Sequence, residues 1–78
     1  MNKLGIDCKT KGKNDLIRAL RQLKTTYSVD DCGAYQADKS LSMLYIDTEW
    51  TEEEMDNWLY KTKVPCDYIG TFKRERDR

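Results

Sequence analysis

Two segments of this chain carry apolar residues at helical spacing, and each lies between segments whose apolar residues alternate. That arrangement constrains the fold more than any single motif, because a period of 3.6 and a period of two belong to different backbones. Leu4, Ile6 and Cys8 alternate with Lys3, Gly5 and Asp7, which predicts a strand with one buried face. The polar loop that follows contains Gly12 and Asn14, residues suited to a turn and a helix start. Leu16, Ile17, Leu20 and Leu23 then recur at helical spacing and predict a helix over 14–26. Asp30 and Asp31 are expected to close that segment.

Cys32–Ala37 and Leu41–Thr48 are two more apolar stretches, separated by Asp38-Lys39-Ser40, and predict a β-hairpin. The second is the most hydrophobic part of the chain and is assigned to a central strand. Alternation places Leu41, Met43 and Tyr45 on one of its faces and Ser42, Leu44 and Ile46 on the other. Both faces are largely apolar, so the pattern leaves open which one meets the helices. Thr51-Glu52-Glu53-Glu54 has the spacing of a capping box, in which Thr51 and Glu54 satisfy each other's backbone N–H. Met55, Trp58, Leu59 and Thr62 give the second helix its expected buried stripe. Lys61 and Lys63 suit its last turn, and Pro65 ends it. Tyr68–Phe72 reads as a final short strand.

The resulting order, β-α-β-β-α-β, predicts an α+β domain over residues 1–73, with 74–78 as a charged, fraying tail. Two βαβ-like halves around a hairpin are the pattern of the ferredoxin-like sandwich, a four-stranded antiparallel sheet with both helices on one face. The expected sheet order is 4-1-3-2, and the second sheet face is left open. With 78 residues there is room for one core.

Charge is neutral in total and strongly uneven in place. Residues 1–25 carry seven basic side chains against two acidic ones, net +5. Residues 26–60 carry nine acids against Lys39, net −8, and residues 61–78 return to +3. Such a dipole orients and steers partners. No apolar run approaches the ~20 residues of a membrane span, and Asp7 and Lys9 interrupt any signal-peptide core. Cys8, Cys32 and Cys66 are three widely separated thiols, which fits a reducing compartment. On the expected sheet Cys8 and Cys66 come together, with Cys32 at the opposite end.

Catalytic chemistry finds little support in the sequence. There is no histidine, no Gly-rich phosphate loop, and no base marked beside Ser28, Ser40 or Ser42. Three cysteines, none close to another in sequence, fall short of a zinc set, so neither metal nor cofactor is expected. Tyr35, Tyr45, Tyr68 and Phe72 fall on predicted strands, where an open sheet can stack single-stranded nucleic acid. Lys9, Lys11 and Lys13 form a basic first loop suited to phosphates or to a second protein surface. A pI near 6.2 and the acidic middle of the chain weigh against nucleic acid. The remaining constellation is acidic: Asp47, Glu49, Glu52, Glu53 and Asp56, with Trp50 among them. An aromatic ringed by charge has the composition of a protein-binding hot spot.

The stretch from Asp47 to Tyr60, with Asp67 to Phe72, resembles the carboxy-terminal half of small accessory proteins of bacteriophages, anti-CRISPR inhibitors among them. The resemblance covers residues 47–72. It implies a compact α/β fold whose charged surface blocks a host protein or complex in the cytoplasm of a bacterial cell, and it assigns no role to any residue. The expectation is therefore a non-catalytic protein-binding module acting through the acidic block. Single-stranded nucleic acid on the open sheet is the alternative, and a homodimer burying that sheet is a third possibility.

Overall fold

The computed structural model describes residues 1–62 and 68–74. Strand β1 (Asn2–Lys9) leads through a 3-10 turn (Thr10–Gly12) into helix α1 (Lys13–Arg21). Strands β2 (Thr26–Ala34) and β3 (Leu41–Thr48) follow, then helix α2 (Glu52–Thr62) and strand β4 (Tyr68–Lys73). The strands form one antiparallel sheet in the order β2-β3-β1-β4, so the architecture is α+β.

The pairing of β1 with β3 settles which face of β3 is buried. Leu4 lies opposite Ile46, Ile6 opposite Leu44 and Cys8 opposite Ser42. The other face of β1 carries Lys3, Asp7 and Lys9, which cannot be sealed into a core without a large desolvation cost. Register therefore forces Ser42, Leu44, Ile46 and Thr48 inward and leaves Leu41, Met43, Tyr45 and Asp47 on the open face. Leu4, Ile6, Cys8, Leu44 and Ile46 form one core with Leu16 and Leu20 of α1 and Met55 and Leu59 of α2. The two fully buried polar residues have their hydroxyls satisfied: Ser42 shares a hydrogen bond with Thr10 Oγ1 at 2.7 Å, and Thr48 accepts from Trp50 N–H at 3.2 Å, whereas the buried hydroxyls of Thr25 and Thr26 have no partner among the described residues.

Helix α1 stops at Arg21 rather than continuing to residue 26. Thr25-Thr26-Tyr27-Ser28-Val29 is rich in β-branched and aromatic side chains, and most of it enters β2. Strand β2 accordingly starts at Thr26, and not at Cys32, and it holds Asp30 and Asp31 in its middle. An edge strand tolerates acids: Asp30 is exposed, and Asp31 pairs with Lys13 at 3.0 Å. Bulges interrupt β2 between Thr26 and Ser28 and between Asp31 and Gly33. Gly33 takes φ +84, a value that side chains resist, and its N–H donates to the Asp31 carboxylate at 2.8 Å. Cys32 sits in this second bulge, about as far along the sheet as Met43 and Leu44, while Cys8 faces Ser42. The two thiols are thus close in level rather than at opposite ends, and Cys66 lies outside the described residues.

The capping box forms as its spacing predicts. Thr51 N–H donates to Glu54 Oε1 at 2.8 Å, and Glu54 N–H donates to Thr51 Oγ1 at 3.2 Å. Thr62 is exposed, with its hydroxyl on the Trp58 carbonyl at 3.0 Å, so it leaves the buried stripe. Lys63 and Pro65 lie outside the described residues. Arg74 does not fray: its N–H donates to the Lys3 carbonyl at 2.9 Å and carries the pairing one residue past β4. No described helix is long and apolar enough to cross a membrane.

Candidate functional site

The open face of the sheet is built around an aromatic pair. Gly5 of β1 lies between Tyr45 on β3 and Phe72 on β4. Having no side chain, Gly5 lets the tip of the Phe72 ring rest over the strand: a Cβ there would fall 2.5 and 2.7 Å from the two ring Cε atoms. On the far side, the Arg74 guanidinium stacks 4.5 Å from the centroid of Tyr45. Both aromatics are half-buried, as are Leu41 and Met43 on the same face. No described helix covers them.

Charges frame these rings and mostly cancel. Asp47 accepts from the Ser28 hydroxyl at 3.0 Å and faces Lys3 at 3.4 Å and Arg74 at 3.9 Å. Burial pushes the Asp47 carboxyl up, but the Ser28 hydrogen bond and the two cations outweigh it and hold it below the usual carboxylate range. Tyr35 donates to the Asp7 carboxylate. That carboxylate, with burial, pushes the Tyr35 phenol up to about 12. Cys32 is exposed at the edge of this face. Burial and then the carboxylates of Asp30 and Asp31 push its thiol up, away from the reactive thiolate.

The acidic residues named from sequence do not form one patch. Asp47 belongs to the open face, within the network above. Asp56 on α2 accepts from Tyr68, whose ring is turned to the helix side of the sheet. Burial and that carboxylate raise the Tyr68 phenol well above its ordinary value. Tyr68 therefore drops out of the nucleic-acid face, on which Tyr45, Phe72 and the flanking Tyr35 remain. Trp50 is half-buried against the core, 6.1 Å from Trp58, with its carbonyl accepting from Asn2 Nδ2. It is a packing residue more than an exposed anchor. Glu49, Glu52 and Glu53 stay exposed and make no ion pair among the described residues. The basic loop divides in the same way: Lys9 and Lys11 are exposed, whereas Lys13 is held by Asp31.

On the opposite side of the sandwich, α1 leans on β2 and α2 on β4, and a groove of about 560 Å³ runs between the helices. Ala19, Leu23 and Trp58 line its apolar part, with Asp15, Arg18 and Gln22 along one wall. Among the described residues, no group of three or more acidic or cysteine side chains is placed to hold a metal ion.

Sequence reasoning missed the Gly5–Phe72 contact and the anchoring of Arg74. A glycine in the middle of a strand is a signal for close approach by another group, and that signal was available at Gly5. Nothing local marks Arg74, because its partners Tyr45 and Asp47 are brought to it only by the sheet order. Comparison with protein families, with characterised proteins and with solved structures gives no match to this chain.

Proposed function

We propose that this protein is a non-catalytic protein-binding module that docks through the open face of its sheet. The observation that supports this best is the Tyr45–Phe72–Met43 surface, covered by no helix among the described residues and framed by Lys3, Lys9 and Arg74 against Asp7, Asp30 and Asp47. Aromatic, methionine and arginine side chains in a patch whose charges cancel match the core of a protein interface. Three carboxylates on that face argue against a polyphosphate backbone. Glu49, Glu52 and Glu53 are free to steer a basic margin of the partner, an effect on association rate more than on affinity. The architecture is read as ferredoxin-like, supported by β3 and β1 at the centre of the sheet and by both helices sharing one core. The setting we propose, a phage accessory protein acting on a host protein in the bacterial cytoplasm, rests on the resemblance over residues 47–72.

The test is affinity capture from bacterial lysate, with and without nuclease, using the wild-type chain and a Met43→Glu/Tyr45→Ala variant. A discrete protein retained through nuclease treatment by wild type, and lost by the variant, is the expected result. Equal retention by both chains removes the open face from the reading. Capture that vanishes with nuclease moves the reading to single-stranded nucleic acid on Tyr45 and Phe72.

A further inference from the structure

We propose that the open sheet face is covered by a second copy of this chain, in a two-fold dimer whose axis runs parallel to the strands. The inference rests on the reading of that face as a protein-binding surface and names one occupant, with which a host protein would compete.

Extent is the first argument. Strands β1 and β3 are each eight residues long and lie at the centre of the four-stranded sheet. At about 4.8 Å per strand and 3.3 Å per residue, the face measures roughly 19 by 26 Å, about 500 Å² of flat area per copy. Two such faces bury about 1,000 Å², the threshold of a specific interface, and the relief of their side chains takes them past it. Leu41, Met43, Tyr45 and Phe72 stand half-buried on this face, so a second copy removes their remaining apolar surface from water. A domain of this length has room for one core and gains most from such a second layer.

Register decides the arrangement. A two-fold axis across the strands, at mid-sheet, would set Lys3 over the partner subunit's Lys9, like charges at both ends of β1. An axis along the strands, between β3 and β1, instead lays β3 over the partner subunit's β1 and β2 over its β4. Each level of the sheet then meets itself in reverse order. Asp47, level with Lys3 of its own chain, falls over the partner subunit's Lys3, so each carboxylate lies between two ammonium groups. Tyr45 falls over the partner subunit's Gly5, where the tip of the Phe72 ring rests, and four aromatic rings meet near the axis. Asp30 is exposed and makes no ion pair among the described residues. It falls over the partner subunit's Phe72, within a long side chain's reach of Arg74 of the partner subunit. Stacked sheets with strands within about 30° of each other are a common packing.

The test is the mass of the purified chain by sedimentation equilibrium, from micromolar to millimolar concentration. A thiol reductant is present, because Cys32 is exposed at the edge of this face. The expected result is a rise from the chain mass to twice that mass, lost in Met43→Glu/Tyr45→Ala. Lys3→Asp and Asp47→Lys should each weaken the dimer at least tenfold, since each alone sets like charges against each other across the axis. Mixed in equal amounts the two variants should pair, because the acidic row of one then meets the basic row of the other. Circular dichroism identifies any variant that fails to fold, and the mass of the natural chain is read without them. The proposal is overturned by a single-chain mass at millimolar concentration, or by growth beyond two copies, since a two-fold contact closes. It is equally overturned by a dimer that folded Met43→Glu/Tyr45→Ala retains, or by charge variants that dimerise as well alone as mixed. Mass is measured without lysate, so the two readings fail separately. A monomer whose open face still captures a host protein removes the dimer alone, and an open-face dimer that captures none removes the host partner alone.

Discussion

Replacing Gly5 by alanine should destabilise the protein, and the same replacement should stabilise it once Phe72 is gone. The Cβ of alanine would lie 2.5–2.7 Å from the Cε atoms of Phe72 and closer still to its Cζ, so the ring must lift off the strand. A fully buried phenylalanine contributes roughly 1.5–3 kcal/mol, so lifting this half-buried ring loses about 1–1.5 kcal/mol. Alanine in a strand is favoured over glycine by about 0.5–1 kcal/mol, which offsets part of the loss. The net expectation for Gly5→Ala is a destabilisation of about 0.5 kcal/mol in the natural chain. In a Phe72→Ala background the clash is absent, and the same change should stabilise by about 0.5–1 kcal/mol. The coupling energy of the cycle is then roughly 1–1.5 kcal/mol, well above the 0.3–0.5 kcal/mol within which independent sites add. Urea denaturation of the four chains, with a shared m-value, measures it. Additive effects would refute the reasoning, because they would mean that the ring does not rest on Gly5.

Stability should also fall at high pH. The Asp7 carboxylate and burial raise Tyr35 to about 12, and burial with Asp56 raises Tyr68 further. A phenol whose folded pKa exceeds its unfolded value of about 10 stabilises fully below pH 10 and loses that contribution as pH rises toward 12. Urea midpoints at pH 8.5 and 11 should therefore fall more for the natural chain than for Tyr35→Phe/Tyr68→Phe. Thr51→Ala, which removes the side-chain half of the cap on Glu54 N–H, should cost about 1 kcal/mol, read from the thermal midpoint. Asp47→Asn removes the charge facing Lys3 and Arg74. Its destabilisation should shrink in 1 M salt, where the Debye length is about 3 Å, and a salt-independent effect would place it in packing instead.

The elements themselves were legible in the sequence because their signals are local. Leu4-Ile6-Cys8 and Leu16-Leu20 carry their periods without help, and the Thr51–Glu54 box is decided within four residues. The misreadings fall where a tertiary partner decides. The chain from Thr25 to Asp31 has strand-forming side chains followed by acids, and only its place at the sheet edge makes the acids admissible. Tyr68 alternates like a surface aromatic, yet a bulge against β1 and the carboxylate of Asp56 hold it on the helix side. The candidate surface was half legible for the same reason. Tyr45 follows from the face of β3 once β1 is paired with it, whereas the acidic block looks continuous in sequence and is divided by the fold between sheet face, helix start and core.

The bulged, acidic margin of β2 has a consequence for assembly. A regular outer strand offers a ladder on which another chain can crystallise its own backbone, the first step toward fibrils. Here Tyr27 and Cys32 each break the rhythm of that ladder, and Asp30 and Asp31 repel an incoming copy bearing the same pair. The sheet is thereby finished at this border, where side chains rather than backbone choose the company.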